Sequence, residues 1–125
     1  MSKPRVHQTE AQLKVAVIAA LKSLFPKLHV RRENAGKMPI GKGRGRRFID
    51  VGEAGTPDLM VMLPRARVVW LELKTKVGKM SPSQVAWHDM ADKLEHEVYV
   101  VRTVDEAVMV VRAALEDAVE PEASS

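Results

Sequence analysis

Two apolar runs, Leu59–Leu63 and Arg67–Lys74, stand only three residues apart, and no other feature of the chain restricts its fold as much. A link as short as Pro64-Arg65-Ala66 closes a β-hairpin and little else, so the two runs pair antiparallel. Symmetric pairing about Arg65 joins residues whose numbers sum to 130. Downstream, Ser81-Pro82-Ser83-Gln84 opens a helix, with serine at the N-cap, proline at the first helical position and glutamine at the third. Trp87, Ala91 and Leu94 share one face of that helix. Val98–Arg102 reads as a buried strand, and a strand–helix–strand order over residues 67–102 makes the two strands parallel through a right-handed crossover.

The flanks complete an α/β pattern. Thr9-Glu10-Ala11-Gln12 is a capping box. It starts a helix over Thr9–Leu24 whose apolar stripe is Leu13, Ala16, Val17, Ala20, Leu21 and Leu24. Leu28–Arg32 and Phe48–Val51 are short strand candidates, and Val104–Val119 is a last amphipathic helix carrying Val108, Val111 and Leu115. The expected fold is therefore a small mixed sheet flanked by helices. A chain of 125 residues has room for one domain. That domain is expected over residues 1–119, with residues 120–125 an acidic tail that frays. The longest apolar stretch, Val15–Leu21, is far short of the roughly 20 residues a membrane span requires. No cysteine is present, which removes disulfides, thiolate zinc sites and cysteine nucleophiles together and fits a mature cytoplasmic protein.

Charge is unevenly spread. Residues 31–47 hold seven basic side chains and one acid, Glu33, whereas the whole chain is only +4. A local excess of this kind is the footprint of a polyanion partner. Arg31, Arg32, Lys42, Arg44, Arg46 and Arg47 are the candidate phosphate contacts, because arginine forks match phosphate oxygens, and Lys76 and Lys79 join them. The glycines at 36, 41, 43 and 45 make this stretch a flexible loop. Gly36-Lys37-Met38-Pro39-Ile40-Gly41-Lys42 approaches a nucleotide-binding P-loop, but Gly43 stands where a magnesium-binding serine or threonine is needed, so no nucleotide cofactor is expected. His7, His29, His88 and His96 lack metal-ligand spacing and read as surface or satisfied core residues; Met80, Met90 and Met109 read as core filler.

The hairpin sets up the chemistry. A pairing sum of 130 puts Asp58 opposite Glu72, and opposed carboxylates about 5 Å apart repel unless neutralised. Side chains alternate along a strand, so Lys74 shares the face of Glu72 while Leu71 and Leu73 point away. Two carboxylates beside an ammonium suit an oxygen-ligated Mg2+ or Mn2+ that takes part of its shell from substrate phosphate. The bland alternative is a surface salt bridge plus strand-end charges.

Thr56-Pro57-Asp58 followed by Glu72-Leu73-Lys74 resembles the PD-(D/E)XK nuclease signature. Gly55-Thr56-Pro57-Asp58-Leu59, Leu71-Glu72-Leu73-Lys74-Thr75, Gly78-Lys79-Met80-Ser81-Pro82-Ser83-Gln84 and Val100-Val101-Arg102 together resemble its VRR-NUC branch over roughly residues 10–105. The resemblance implies a restriction-endonuclease-like αβββαβ core. It makes Asp58, Glu72, Lys74 and Gln84 the catalytic set, and Glu10, Asp58, Glu72 and the carbonyl of Leu73 the ligands of Mg2+ or Mn2+. Glu10 has an ordinary role as a charge at the positive end of a helix dipole, and Gln84 one as the capping-box partner of Ser81. Glu95-His96 departs from the family, which places a glycine at this helix end. The activity implied is metal-dependent, structure-selective DNA hydrolysis, resembling that of a junction resolvase and carried out by a phage or bacterial homodimer on branched DNA. Val15, Ile18 and Ala19, off the main stripe of the first helix, offer the interface. The rivals are a non-catalytic DNA-binding module on the same fold and a structural or assembly protein.

Overall fold

The computed structural model describes residues 8–33, 36–41, 43–45, 47–51 and 53–119. In chain order these form α1 (Glu10–Leu24), β1 (His29–Arg32), β2 (Gly36–Ile40), a 3-10 turn (Gly43–Gly45), β3 (Arg47–Val51), β4 (Leu59–Met62), β5 (Val68–Leu73), α2 (Pro82–Lys93), β6 (Glu97–Val101) and α3 (Val104–Val119). One sheet has the order β1-β4-β5-β6; β2 and β3 make a separate two-stranded sheet. The β1–β4 and β4–β5 pairs are antiparallel and β5–β6 is parallel, so the main sheet is mixed as the residue pattern requires.

The hairpin register agrees with the sequence reading. Leu59 faces Leu71 and Met62 faces Val68. The loop is closed by Leu63 N–H donating to the Arg67 carbonyl at 2.8 Å, with Arg65 and Ala66 both in left-handed conformation at φ 63° and 60°.

Both helix starts form as read. Thr9 and Ser81 are N-caps whose side chains accept from the N–H groups of Gln12 and Gln84, and each glutamine side chain reaches back to its cap. The core lies between α1, α3 and one face of the sheet. Leu13, Val17 and Leu21 of α1 and Ala107, Val111, Ala114 and Ala118 of α3 pack with Leu59, Val61, Val69, Leu71 and Leu73. Small residues on the buried stripe of α3 let its backbone come close to the sheet. The opposite face of β5 looks at α2, where Trp70 meets Trp87 edge-on with ring centroids 5.1 Å apart.

Several expectations are corrected. The glycine-rich segment is not simply a loop: Gly36–Ile40 pairs with Arg47–Val51, and the positive φ of Gly41 (86°) and Gly43 (62°) lies in the connection between them. β6 is an edge strand, so Tyr99 and Val100 keep over a third of their surface exposed, unlike a strand paired on both sides. Leu94 is exposed because it is the C-cap of α2, past the last inward-facing turn. Leu24, the last residue of α1, is exposed while the C-cap Phe25 is buried in its place, and Met90 and Met109 sit on outward helix faces rather than in the core. At the end of α2, where the family places a glycine, Glu95 turns left-handed, at φ 63°. Glu95 N–H bonds to the Asp92 carbonyl and His96 N–H to that of Ala91, the two bonds of a Schellman cap that glycine ordinarily makes. Of the α1 residues expected to offer an interface, Val15 is exposed, whereas Ile18 packs partly against the core. The tail at 120–125 lies outside the described residues. Among the described residues no helix is long and apolar enough to cross a membrane.

Candidate active site

The hairpin and the parallel neighbour of β5 bring the chemistry to one end of the sheet. Asp58 immediately precedes β4, and its Oδ2 accepts from the Leu73 N–H at 2.8 Å, which locks the acid across the hairpin. Its Oδ1 takes an ion pair from Lys14 Nζ of α1 at 3.1 Å. Glu72, one residue before the end of β5, is only 1% exposed. Both of its oxygens are held from α2: Gln84 Nε2 donates to Oε2 at 3.3 Å, and His88 Nε2 lies 3.2 Å from Oε1. Lys74 is buried, and its Nζ lies 3.6 Å from Glu10 Oε1, on the first turn of α1. Asp58, Glu72, Lys74, Gln84 and Glu10 therefore converge, and Leu73 contributes main chain beside Asp58.

Electrostatics mark Glu72 as the strained member. Burial first, then the adjacent Asp58 carboxylate, pushes its pKa up to about 8, against the pull of Lys74. The Glu10 charge adds a smaller push in the same direction. His88 is held below the ordinary imidazole range by burial and by the Lys74 charge. It is therefore neutral at pH 7, and its contact with Glu72 is a hydrogen bond rather than an ion pair.

A buried carboxylate this reluctant to ionise, next to a second one, is an arrangement that a hard divalent cation relieves. The donor chemistry fits Mg2+ or Mn2+ through Asp58 and Glu72. Among the described residues, no group of three or more His, Cys, Asp or Glu is already gathered around one point, since Glu10 is drawn toward Lys74.

Gln84 makes two contacts at once: Oε1 accepts the Ser81 N–H at 2.8 Å, as the capping box requires, while Nε2 donates to Glu72. Two residues were missed. Lys14 and His88 lie four residues after Glu10 and Gln84, so each shares a helix face with a residue already singled out, and that spacing was the available signal.

The glycine before the acid is fixed by packing. A Cβ on Gly55, at φ 88°, would lie 2.5 Å from the Ser83 carbonyl carbon and closer still to its oxygen. Only glycine lets the loop before Asp58 rest on the first turn of α2. Arg102, at the end of β6, holds the turn after Lys74 by donating to the carbonyls of Thr75 (2.6 Å) and Gly78 (2.8 Å).

The basic candidates divide. Lys76 and Lys79 are exposed on the loop that follows Lys74. Arg31 and Arg32 are exposed at the end of β1, whose next residue, Glu33, donates its N–H to the Asp58 carbonyl. Arg31 also pairs with Glu33 at 3.1 Å. Arg44 is exposed in the 3-10 turn, and Arg47 opens β3. Lys42 and Arg46 lie outside the described residues.

An αβββαβ core (α1, β1, β4, β5, α2, β6) with an aspartate entering its second strand, β4, and Glu-x-Lys at the end of its third, β5, has the scaffold of the PD-(D/E)XK nucleases. Comparison with known proteins narrows the class. A solved structure described as "VRR_NUC domain" superposes with a TM-score of 0.57 over 82% of this chain and 94% of its own length, at 23% identity. "Putative nuclease p44" of Acyrthosiphon pisum secondary endosymbiont phage 1 is 32% identical over 63 residues, half of this chain and 68% of the phage protein. No family model matches. The chain belongs to the VRR-NUC nuclease family.

Proposed function

We propose that this protein hydrolyses phosphodiester bonds of DNA in a reaction dependent on Mg2+ or Mn2+. The observation that carries the reading is Glu72: a carboxylate withdrawn from solvent, set beside Asp58 and two residues before a buried lysine. A bound divalent cation supplies Lewis acidity toward a phosphate oxygen and toward the attacking water. Asp58 and Glu72 hold it, with Glu10 and the Leu73 carbonyl within the same end of the sheet. Lys74 brings a fixed positive charge to the place where negative charge builds on the phosphate in the transition state. Burial strengthens that charge, because little water competes for it. Lys76, Lys79, Arg31 and Arg32 flank the acids and hold the phosphates on either side, setting register without reading bases.

Branched DNA as substrate and a homodimer as the working form extend the same proposal. One site of this size cuts one strand, so paired cuts need two sites. Incubation of labelled flap, fork, splayed and four-way DNA with Mg2+ or Mn2+ tests it. Metal-dependent products from wild type and none from Lys74→Ala are expected. A wild type that cuts nothing, or a Lys74→Ala protein that cuts equally well, refutes it. The rival, a DNA-binding module without catalysis, has one observation in its favour: the Lys14 and Lys74 ammonium groups pair with Asp58 and Glu10, so these acids are neutralised with no metal ion needed. Calorimetric titration with Mn2+ separates the two, since a binding module takes up none at these acids.

A further inference from the structure

Glu72 is gripped twice by one helix. Its Oε2 accepts from Gln84 and its Oε1 meets His88 Nε2, from residues one turn apart on the same face of α2. The imidazole is itself placed by packing. Its ring stands edge-on to Trp87 at a centroid distance of 6.3 Å, and Trp87 stands edge-on to Trp70, two residues before Glu72 on the same face of β5. The ring is thus braced by the strand that carries its carboxylate partner. Gln84 alone is a loose hold: its bond is 3.3 Å long, and its amide is shared with the Ser81 cap. The last torsion of a glutamate is broad, so a carboxylate held at one oxygen still swivels. A donor at the other oxygen removes that freedom.

Resting on the reading that Glu72 holds a divalent cation, we propose that His88 is a positioning residue: its Nε2–H fixes Glu72 Oε1 and keeps the carboxylate oriented for the metal beside Asp58. With a cation bound, Glu72 would be ionised and would only accept, which puts the imidazole proton on Nε2 in that state. His88 contacts Glu72 and Trp87, and its influence on a bound cation would pass through Glu72.

Two substitutions separate donor from shape. His88→Phe fills the space against Trp87 without an N–H, whereas His88→Gln supplies an N–H without the ring. Both are titrated as the full chain with Mn2+ in the absence of DNA, with thermal unfolding run alongside to confirm folding. Loss of a hydrogen bond that orients a metal ligand weakens metal affinity about 10–100-fold, so His88→Phe is expected to fall in that range and His88→Gln to stay within about threefold of wild type. Wild-type affinity in His88→Phe, or a loss in His88→Gln as large as in His88→Phe, overturns the role of His88 while leaving the site standing. A wild type that takes up no Mn2+ overturns the metal site itself, and the role of His88 with it.

Discussion

Gly55→Ala tests how the site is held together. The added methyl carbon would lie 2.5 Å from the Ser83 carbonyl carbon and 3.0 Å from the Gln84 nitrogen. Ordinary contacts begin near 3.4 Å, and both obstacles are helix backbone, so the loop and α2 must move apart by close to an ångström. Two costs add. The left-handed backbone at φ 88° disfavours a side chain by about 1–2 kcal/mol, and forcing a methyl into packed structure costs about 1–3 kcal/mol. A domain of this size loses about 4 °C of Tm per kcal/mol, so the fall should be roughly 8–20 °C for a total near 2–5 kcal/mol. The same shift separates Asp58 from the helix that carries Gln84 and His88, so the folded fraction should also bind Mn2+ more weakly. Gly43→Ala is the internal control: φ is positive there as well, at 62°, but nothing lies within 4 Å of the new carbon. It should cost only the backbone share, about 1 kcal/mol. Thermal unfolding by circular dichroism compares the two. Equal losses would show that close approach to α2 is not what reserves position 55 for glycine.

Three further outcomes follow from the geometry. Lys14→Met removes the ion-pair partner of Asp58, which should destabilise the metal-free protein by about 1 kcal/mol and tighten Mn2+ binding several-fold, because one competing ammonium is gone; calorimetry and unfolding together read both signs. Glu97 is held below the usual carboxylate range by its bidentate bond to Arg67, so its stabilisation is complete above the unfolded glutamate value near 4.5 and is lost as pH falls through the lower folded value. Arg67→Met should therefore be less stable at neutral pH and lose less on acidification than wild type, as denaturant midpoints measured from pH 7 to pH 3 would reveal. Glu95→Gly, at the left-handed end of α2, should raise stability by about 0.5–1 kcal/mol, and a lower Tm would contradict the Schellman assignment.

The order of elements could be read from local signals because the decisive ones are short-range. A three-residue link sets the hairpin register, and Ser81-Pro82-Ser83-Gln84 sets the start of α2; each acts within one turn of chain. Position alternation then put Glu72 and Lys74 on one face, and the register put Asp58 beside them. Edge and interior strands are not distinguished by their residues alone: Val98-Tyr99-Val100-Val101 is apolar enough for a central strand and lies at the border of the sheet. The pairing of Gly36–Ile40 with Arg47–Val51 was likewise hidden by the glycines around it.

From the sequence alone came the identity of the two acids and the lysine, their spacing across the hairpin, and the capping-box role of Gln84, since backbone geometry over a few residues determines all of these. Only the tertiary structure decided that Glu10 turns to Lys74, that Lys14 pairs with Asp58, and that His88 closes on Glu72. Those partners come from α1 and α2, far from the hairpin in sequence. Which of several cations and donors reaches a buried carboxylate depends on how two helices pack against the sheet, and no local rule encodes that.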